Sequence, residues 1–205
     1  MMNVIYIVKP NKQEEGSRHM KVSREQAAEN RARVIEVAGR LFREKGFDGV
    51  GVADIMRGAG LTHGGFYGQF ASKDDLAAQA CAQTLDRSVA RWRRLATGED
   101  PLAAIVASYL APNHRNAPGT GCALSALSAD AVRRPDAVRS VFTQALQSFA
   151  GILTRVAPGA SRAARRRKAL ATMAGLVGAV ILSRAVNDAD LSDEILKAAV
   201  KEFAG

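Results

Sequence analysis

Beyond its first twenty residues the chain reads as a succession of helices. Ala27, Ala28, Val34, Ile35, Ala38, Leu41 and Phe42 recur at the spacing that gathers apolar side chains on one helix face. Ser23 with Gln26 forms a capping-box pattern ahead of that run, and Gly46 after Lys45 is a stop signal. Val52, Ile55, Met56 and Ala59 follow the i, i+3, i+4, i+7 rule of a short helix that Gly60 ends. Thr62 is placed to cap a further short helix over 62–70, in which Phe66 and Phe70 share an inward face. Ser72 with Asp75 makes another capping box, which predicts a long helix through Trp92. After a break at Thr97-Gly98, a helix from Pro101 to Leu110 is expected, and the segment PNHRNAPGTG, 112–121, reads as a loop. Helices follow at about 122–133, 136–156, 161–187 and 191–204, punctuated by Pro135, Pro158-Gly159 and Asp188–Asp190. No strand, repeat or low-complexity tract is evident, so the fold class is all-α.

Residues 1–20 lack this pattern. VIYIV within them has the composition of a strand but no partner nearby, so the segment reads as an extended start or disordered leader, and Met20 opens the patterned chain. Composition changes the picture only in part. With 47% hydrophobic and 24% charged residues, 205 residues can bury a real core. Two cysteines and no signal-peptide pattern point to a reducing cytoplasm. The longest apolar run, Ala169 to Leu182, is shorter than the roughly 20 residues a spanning helix needs, so no membrane is expected. Net charge is +9, which suits an anionic partner, yet most of the excess lies beyond residue 80.

The stretch GLTHGGFYGQF, Gly60 to Phe70, carries the most information. Glycine in a helix interior costs about 1 kcal/mol relative to alanine, and here Gly64, Gly65 and Gly68 stand among aromatics. Two short helices around a glycine-containing turn have helix-turn-helix proportions. In that motif the second helix enters the major groove with its N-terminal residues at the base edges. Glycines beside His63 would then let the backbone approach DNA. Phe66 and Phe70 would anchor the element, and Tyr67 would reach a phosphate. Lys73 adds a cation beside the free N–H groups that begin the next helix.

The order of residues is more specific than this geometry. GVGVADIMRGAGLTHGGFYGQFASKDDL, Gly49 to Leu76, closely resembles the signature of the TetR/AcrR family of transcriptional regulators. The resemblance covers about 55 residues, from Lys21 to Leu76. It implies a three-helix DNA-binding domain at 21–76 and a larger helical effector-binding and dimerisation domain at 77–205. By position, it places Thr62, His63, Gly64, Gly65 and Gln69 at the groove and Tyr67 and Lys73 on phosphates. One departure is Gly51, where the family usually has a threonine or serine, so no DNA role is assigned to it.

The resemblance further implies a homodimer formed through the last two long helices, about 161–187 and 191–204. It would bind a palindromic double-stranded DNA operator as a repressor and be released by a small-molecule effector. Gly175 and Gly178 would ease close helix contact, between subunits or within one. Trp92, Tyr109, Phe142 and Phe149 are candidate effector contacts by residue type, with core packing as the other reading. Cys122, in GTGCALSAL, is similar to a glycine-cysteine motif of electrophile- and oxidant-sensing members. A thiol at a helix N-terminus has a lowered pKa, so electrophiles join the effector classes; a buried structural cysteine is the alternative. RRRK, 165–168, is a solvated face or an accessory anion contact.

Other function classes find less support. No phosphate loop, nucleophile elbow, dinucleotide fingerprint or metal-ligand spacing is present, so neither catalysis nor a cofactor or metal is expected. The pair Cys122 and His114 is the one conceivable nucleophile and base, without a third group to orient it. A helical adaptor without DNA binding is the alternative function, and transcriptional activation an alternative to repression.

Overall fold

The structure, a computed structural model, describes residues 24–204, all of its regular elements helical. The leader at 1–20 and Ser23 of the first capping box lie outside the described residues. Helix α1, Arg24–Lys45, buries Val34, Ile35, Ala38, Leu41 and Phe42, as the spacing requires, but leaves Ala27 and Ala28 exposed in its first turns, where no other helix among the described residues covers that face. It stops where Gly46 adopts φ +74. Helix α2, Val52–Gly58, buries Ile55 and Met56. Gly60, at φ +71, turns the chain after it in a left-handed conformation that an L side chain resists. A Cβ at residue 60 meets nothing, so the cost of Gly60→Ala is purely conformational. It is expected to be about 1 kcal/mol, a fall in Tm of roughly 2–4 °C in thermal unfolding.

Helix α3, Lys73–Leu95, runs three residues past the expected end at Trp92. Ser72 Oγ accepts from Asp75 N at 3.0 Å, and the Asp75 carboxylate reaches back to Ala71 N rather than to the cap residue itself. The first half of α3 lies along α1, where Arg31 donates to Gln79 and Arg43 to Thr84. Its second half packs on helix α7, Asp136–Val156, with the Trp92 and Phe149 rings 4.7 Å apart. A boundary at Leu76 therefore crosses the first turn of a continuous helix.

Helix α4, Pro101–Tyr109, follows an Asp100 cap. The segment expected to be a loop at 112–121 is instead a short helix, α5, Pro112–Asn116, followed by a 3-10 turn, Pro118–Thr120. Each begins with a proline, whose fixed φ and missing N–H suit a first helical position. Helix α6, Ala123–Ala131, is shorter than predicted.

Helices α8, Arg162–Ala185, and α9, Ala189–Phe203, complete the body, with α8 packed on both α7 and α9. At 24 residues and a mean hydropathy of 1.4 in its most apolar window, α8 is long and apolar enough to cross a membrane, contrary to the shorter run read from sequence. It is nonetheless a core helix by its contacts, burying Ala169, Met173, Leu176 and Val180. Gly175 receives the Phe203 ring of α9, so that glycine serves packing within the chain. Gly178 has open space where its side chain would be.

Candidate nucleic-acid interface and effector cavity

The stretch from Gly60 to Phe70 does not form the regular helix expected over 62–70. Only His63–Gly65 make a 3-10 turn, and Phe66 O then accepts from Gln69 N and Phe70 N. Thr62 has the extended backbone of a cap residue but no side-chain cap hydrogen bond. Glycines at 64, 65 and 68 remove the backbone bias that would sustain a longer helix. What holds the element is aromatic packing. Phe66 and Phe70 are 1% and 2% exposed, their rings stacked at 5.5 Å.

Above that foundation the polar residues face outward. Thr62, His63, Gly64 and Gly65 are exposed, and Tyr67 is 70% exposed with its ring edge-on to His63. Cβ atoms at 64 and 68 would meet nothing. Packing within the chain therefore does not require glycine there, and what the glycines offer is bare backbone on the outer surface. The Gln69 amide donates to Gly65 O at 3.1 Å and its Oε1 is enclosed without a partner, so this side chain braces the turn. Lys73 opens α3 just beyond, half-buried.

A latch missed by the sequence reading ties this region to the body. Arg134, between α6 and α7, pairs with Asp48 and, at 3.7 Å, with Asp74, and lies 5.2 Å over the Phe47 ring. The hydrogen bond from Arg134 draws the Asp48 carboxyl below its usual range. Nothing in the local sequence pairs residues so far apart.

The second candidate site is a cavity of about 100 Å³ bounded by α3, α4 and the 112–121 segment. Trp92, Tyr109 and Cys122 line it together with His114, Ser88 and Arg91. Phe149 is wholly buried beneath Trp92, and Phe142 lines a separate shallow groove with Leu124 and Leu146. Three of the five effector candidates thus converge and two do not. Tyr109 Oη is enclosed without a hydrogen-bond partner, with the Cys122 and Ser125 side chains nearby.

His114 organises this cavity. Its Nε2 accepts from the Cys122 backbone N–H at 2.9 Å, while Nδ1 lies 2.5 Å from Tyr109 O. An amide can only donate, so the network assigns the proton to Nδ1, which donates to the carbonyl. One neutral imidazole thereby satisfies a carbonyl at the C-terminus of α4 and the amide at the N-cap of α6, both groups that helices leave open. Burial and the nearby Arg184 and Arg91 charges lower its pKa, opposed by the hydrogen bond to Tyr109 O.

Cys122 occupies the N-cap of α6, as expected, but the pKa lowering expected there is not found. It is 5% exposed, and burial raises its pKa against the smaller opposing pull of nearby N–H groups. Cys81 is likewise buried, pushed up to about 12 by desolvation. Nor do His114 and Cys122 form a nucleophile–base pair, because the imidazole bonds the backbone of residue 122, not its thiol.

The far end of the same segment touches α1. Arg43 Nε donates to Gly119 O at 3.1 Å and Nη1 to Thr84 Oγ1 at 2.6 Å. A Cβ at 119 would overlap the Glu44 side chain. The wall of the cavity is therefore bonded directly to the helix that supports α2 and the exposed turn.

Comparison with known proteins agrees with this architecture. Residues 34–80 match the family model for bacterial regulatory proteins, tetR family. The HTH-type transcriptional repressor KstR2 of Mycobacterium tuberculosis is 32% identical over 97 residues, 45% of this chain and 48% of that protein. The probable HTH-type transcriptional regulator ArpR of Pseudomonas putida is 36% identical over 80 residues, 39% of this chain and 38% of that one. The chain thus spans about half the length, or less, of these curated relatives. A TetR-family transcriptional regulator from Agrobacterium tumefaciens shares the fold with a TM-score of 0.73 at 20% identity, over 87% of this chain and 100% of that one.

Proposed function

Because the chain belongs to the tetR family of bacterial regulatory proteins through its N-terminal domain, we propose that it is a cytoplasmic, dimeric transcriptional repressor released from DNA by a small molecule. The observation that carries this reading is the exposed glycine-rich turn. Bare backbone at Gly64 and Gly65, with His63 and Tyr67 outward and Lys73 adjacent, rests on two buried phenylalanines. In this reading Thr62, His63, Gly64 and Gly65 approach the bases, and Tyr67 and Lys73 hold phosphates. Residues 21–76 form the DNA-binding domain and 77–205 the effector and dimer domain.

The dimer face is the outer surface of α8 and α9. Leu170, Ile181 and Leu182 on α8 and Leu191 on α9 are exposed apolar side chains, and Gly178 leaves room beside them. A twofold dimer reads two half-sites, hence a palindrome. The effector enters the cavity at Trp92, Tyr109 and Cys122. Its effect travels through the 112–121 segment and the Arg43–Gly119 contact to α1, repositioning the turn.

The test is selection of genomic fragments by the purified protein against a Tyr67→Ala/Lys73→Ala variant. The wild type is expected to enrich a short palindrome, and the variant to bind it roughly 100-fold more weakly through loss of phosphate contacts. Equal enrichment by both proteins, or by neither across a salt range after refolding to strip ligand, would overturn the reading in favour of a helical adaptor.

A further inference from the structure

A cleft of about 450 Å³ opens between α1 and α3 and runs into the cavity, with Ser88, Arg91, Thr120 and Gly121 lining both. Its walls carry the side chains of Arg40, Arg43, Arg87, Arg91 and Arg94, against Glu36 and the Glu44 carboxylate that lies against Gly119. Arg40 is paired with Glu44 at 3.1 Å and Arg87 with Glu36 at 3.6 Å, both on the exposed rim. Arg91 and Arg94 have no ion pair among the described residues.

Arg43 is the most informative member. It is half-buried, and its hydrogen bonds go only to the neutral oxygens of Thr84 and Gly119. Burial draws its pKa down, the mark of a cation held partly out of water. Three of its five N–H donors are used, which leaves two. Arg184, outside the cavity and behind His114, likewise has carbonyl partners only, at His114, Arg115 and Ser125. The cavity thus opens into a cleft rich in guanidinium groups, with the enclosed Tyr109 hydroxyl within. A partly desolvated cation hydrogen-bonded only to neutral oxygens, beside two arginines without ion pairs, gains from a bound anion, and guanidinium groups match phosphate oxygens in geometry.

We infer that this cleft binds the phosphate group of a phosphorylated small molecule, whose uncharged remainder enters the cavity beside Trp92 and Tyr109. The assignment rests on the effector-released regulator proposed above and names the chemical class of its effector. A concave cleft leading to an internal cavity suits a small phosphate ester better than duplex DNA, whose phosphates line a convex surface.

Trp92, the sole tryptophan, lies in the cavity wall and reports occupancy by its fluorescence. Inorganic pyrophosphate titrated into the full chain is expected to give a saturable change in Trp92 emission. Arg91→Gln/Arg94→Gln, an exposed pair without ion-pair partners, is expected to weaken it roughly tenfold. Arg166→Gln/Arg167→Gln on α8, which removes the same charge elsewhere, is expected to leave it unchanged. No saturable change in the wild type, or equal weakening by both variants, overturns the site. So does a loss of non-specific DNA affinity in Arg91→Gln/Arg94→Gln that pyrophosphate cannot mimic by competition, since the cleft would then be a DNA contact. The genomic selection separates the two claims. DNA selection without pyrophosphate binding removes the anion site alone, whereas pyrophosphate binding without DNA selection removes the effector role and the regulator with it.

Discussion

Phe66→Ala is expected to destabilise the protein by about 3–5 kcal/mol, the range for truncating a fully buried phenylalanine. The Phe66 ring is 1% exposed and stands 5.5 Å from Phe70 and 5.2 Å from Tyr67. Most buried aromatics are backed by helices that hold themselves by backbone hydrogen bonds. This one anchors a segment with a single 3-10 turn and three glycines, so side-chain packing supplies most of its order. Thermal unfolding should register a fall of roughly 10 °C. In the reading proposed here, DNA binding should fall further than stability alone accounts for, because the surviving folded molecules lose the orientation of His63 and Tyr67. Phe66→Leu, which keeps apolar volume, should recover most of the stability. A melting temperature within 2 °C of wild type for Phe66→Ala would show that the turn does not depend on this ring.

His114→Leu is the second large effect. Leucine retains apolar bulk but satisfies neither the Tyr109 carbonyl nor the Cys122 amide. An enclosed polar group left without its partner costs about 1–3 kcal/mol, so a loss of roughly 2–5 kcal/mol is expected in denaturant titration. The wild type should also show a pH dependence that the variant lacks. Burial and the Arg184 and Arg91 charges favour the neutral ring, so the pKa in the folded state lies below the ordinary value of about 6.5. The unfolded chain therefore takes up the proton first. The stability this histidine contributes is fully present above about pH 6.5 and is lost as pH falls through the lowered folded value. A proton on Nε2 would face the Cys122 N–H, donor against donor, and break the bond that closes α6. The Asp48 carboxyl, held below its usual range by Arg134, does not obscure this window. Equal slopes between pH 7 and 5 for wild type and variant would refute a folded-state pKa lowered at His114.

Local sequence determined which residues turn inward, where the chain breaks and which element is exceptional. Val34, Ile35, Ala38, Leu41 and Phe42 are buried as their spacing requires, Gly46 and Gly60 end their helices at positive φ, and Ser72 caps α3. Period, cap and stop signals act within four or five residues, so they are legible in a linear text. The same holds for the signature from Gly49 to Leu76, whose oddity is local.

Tertiary structure decided what depends on partners distant in the chain. The 112–121 segment reads as a loop by composition, yet His114 ties it to both flanking helices and Gly119 receives Arg43 from 76 residues away. Cys122 stands at a helix N-terminus, but how far burial outweighs that position depends on what packs over it. Phe142 and Phe149 resemble Trp92 in type, and only helix packing sends one to a groove, one to the core and one to the cavity wall. The arginine cleft is assembled from α1, α3 and the 3-10 turn, each with an ordinary solvated face in sequence. Charge and desolvation are properties of the assembled volume, and no window along the chain contains them.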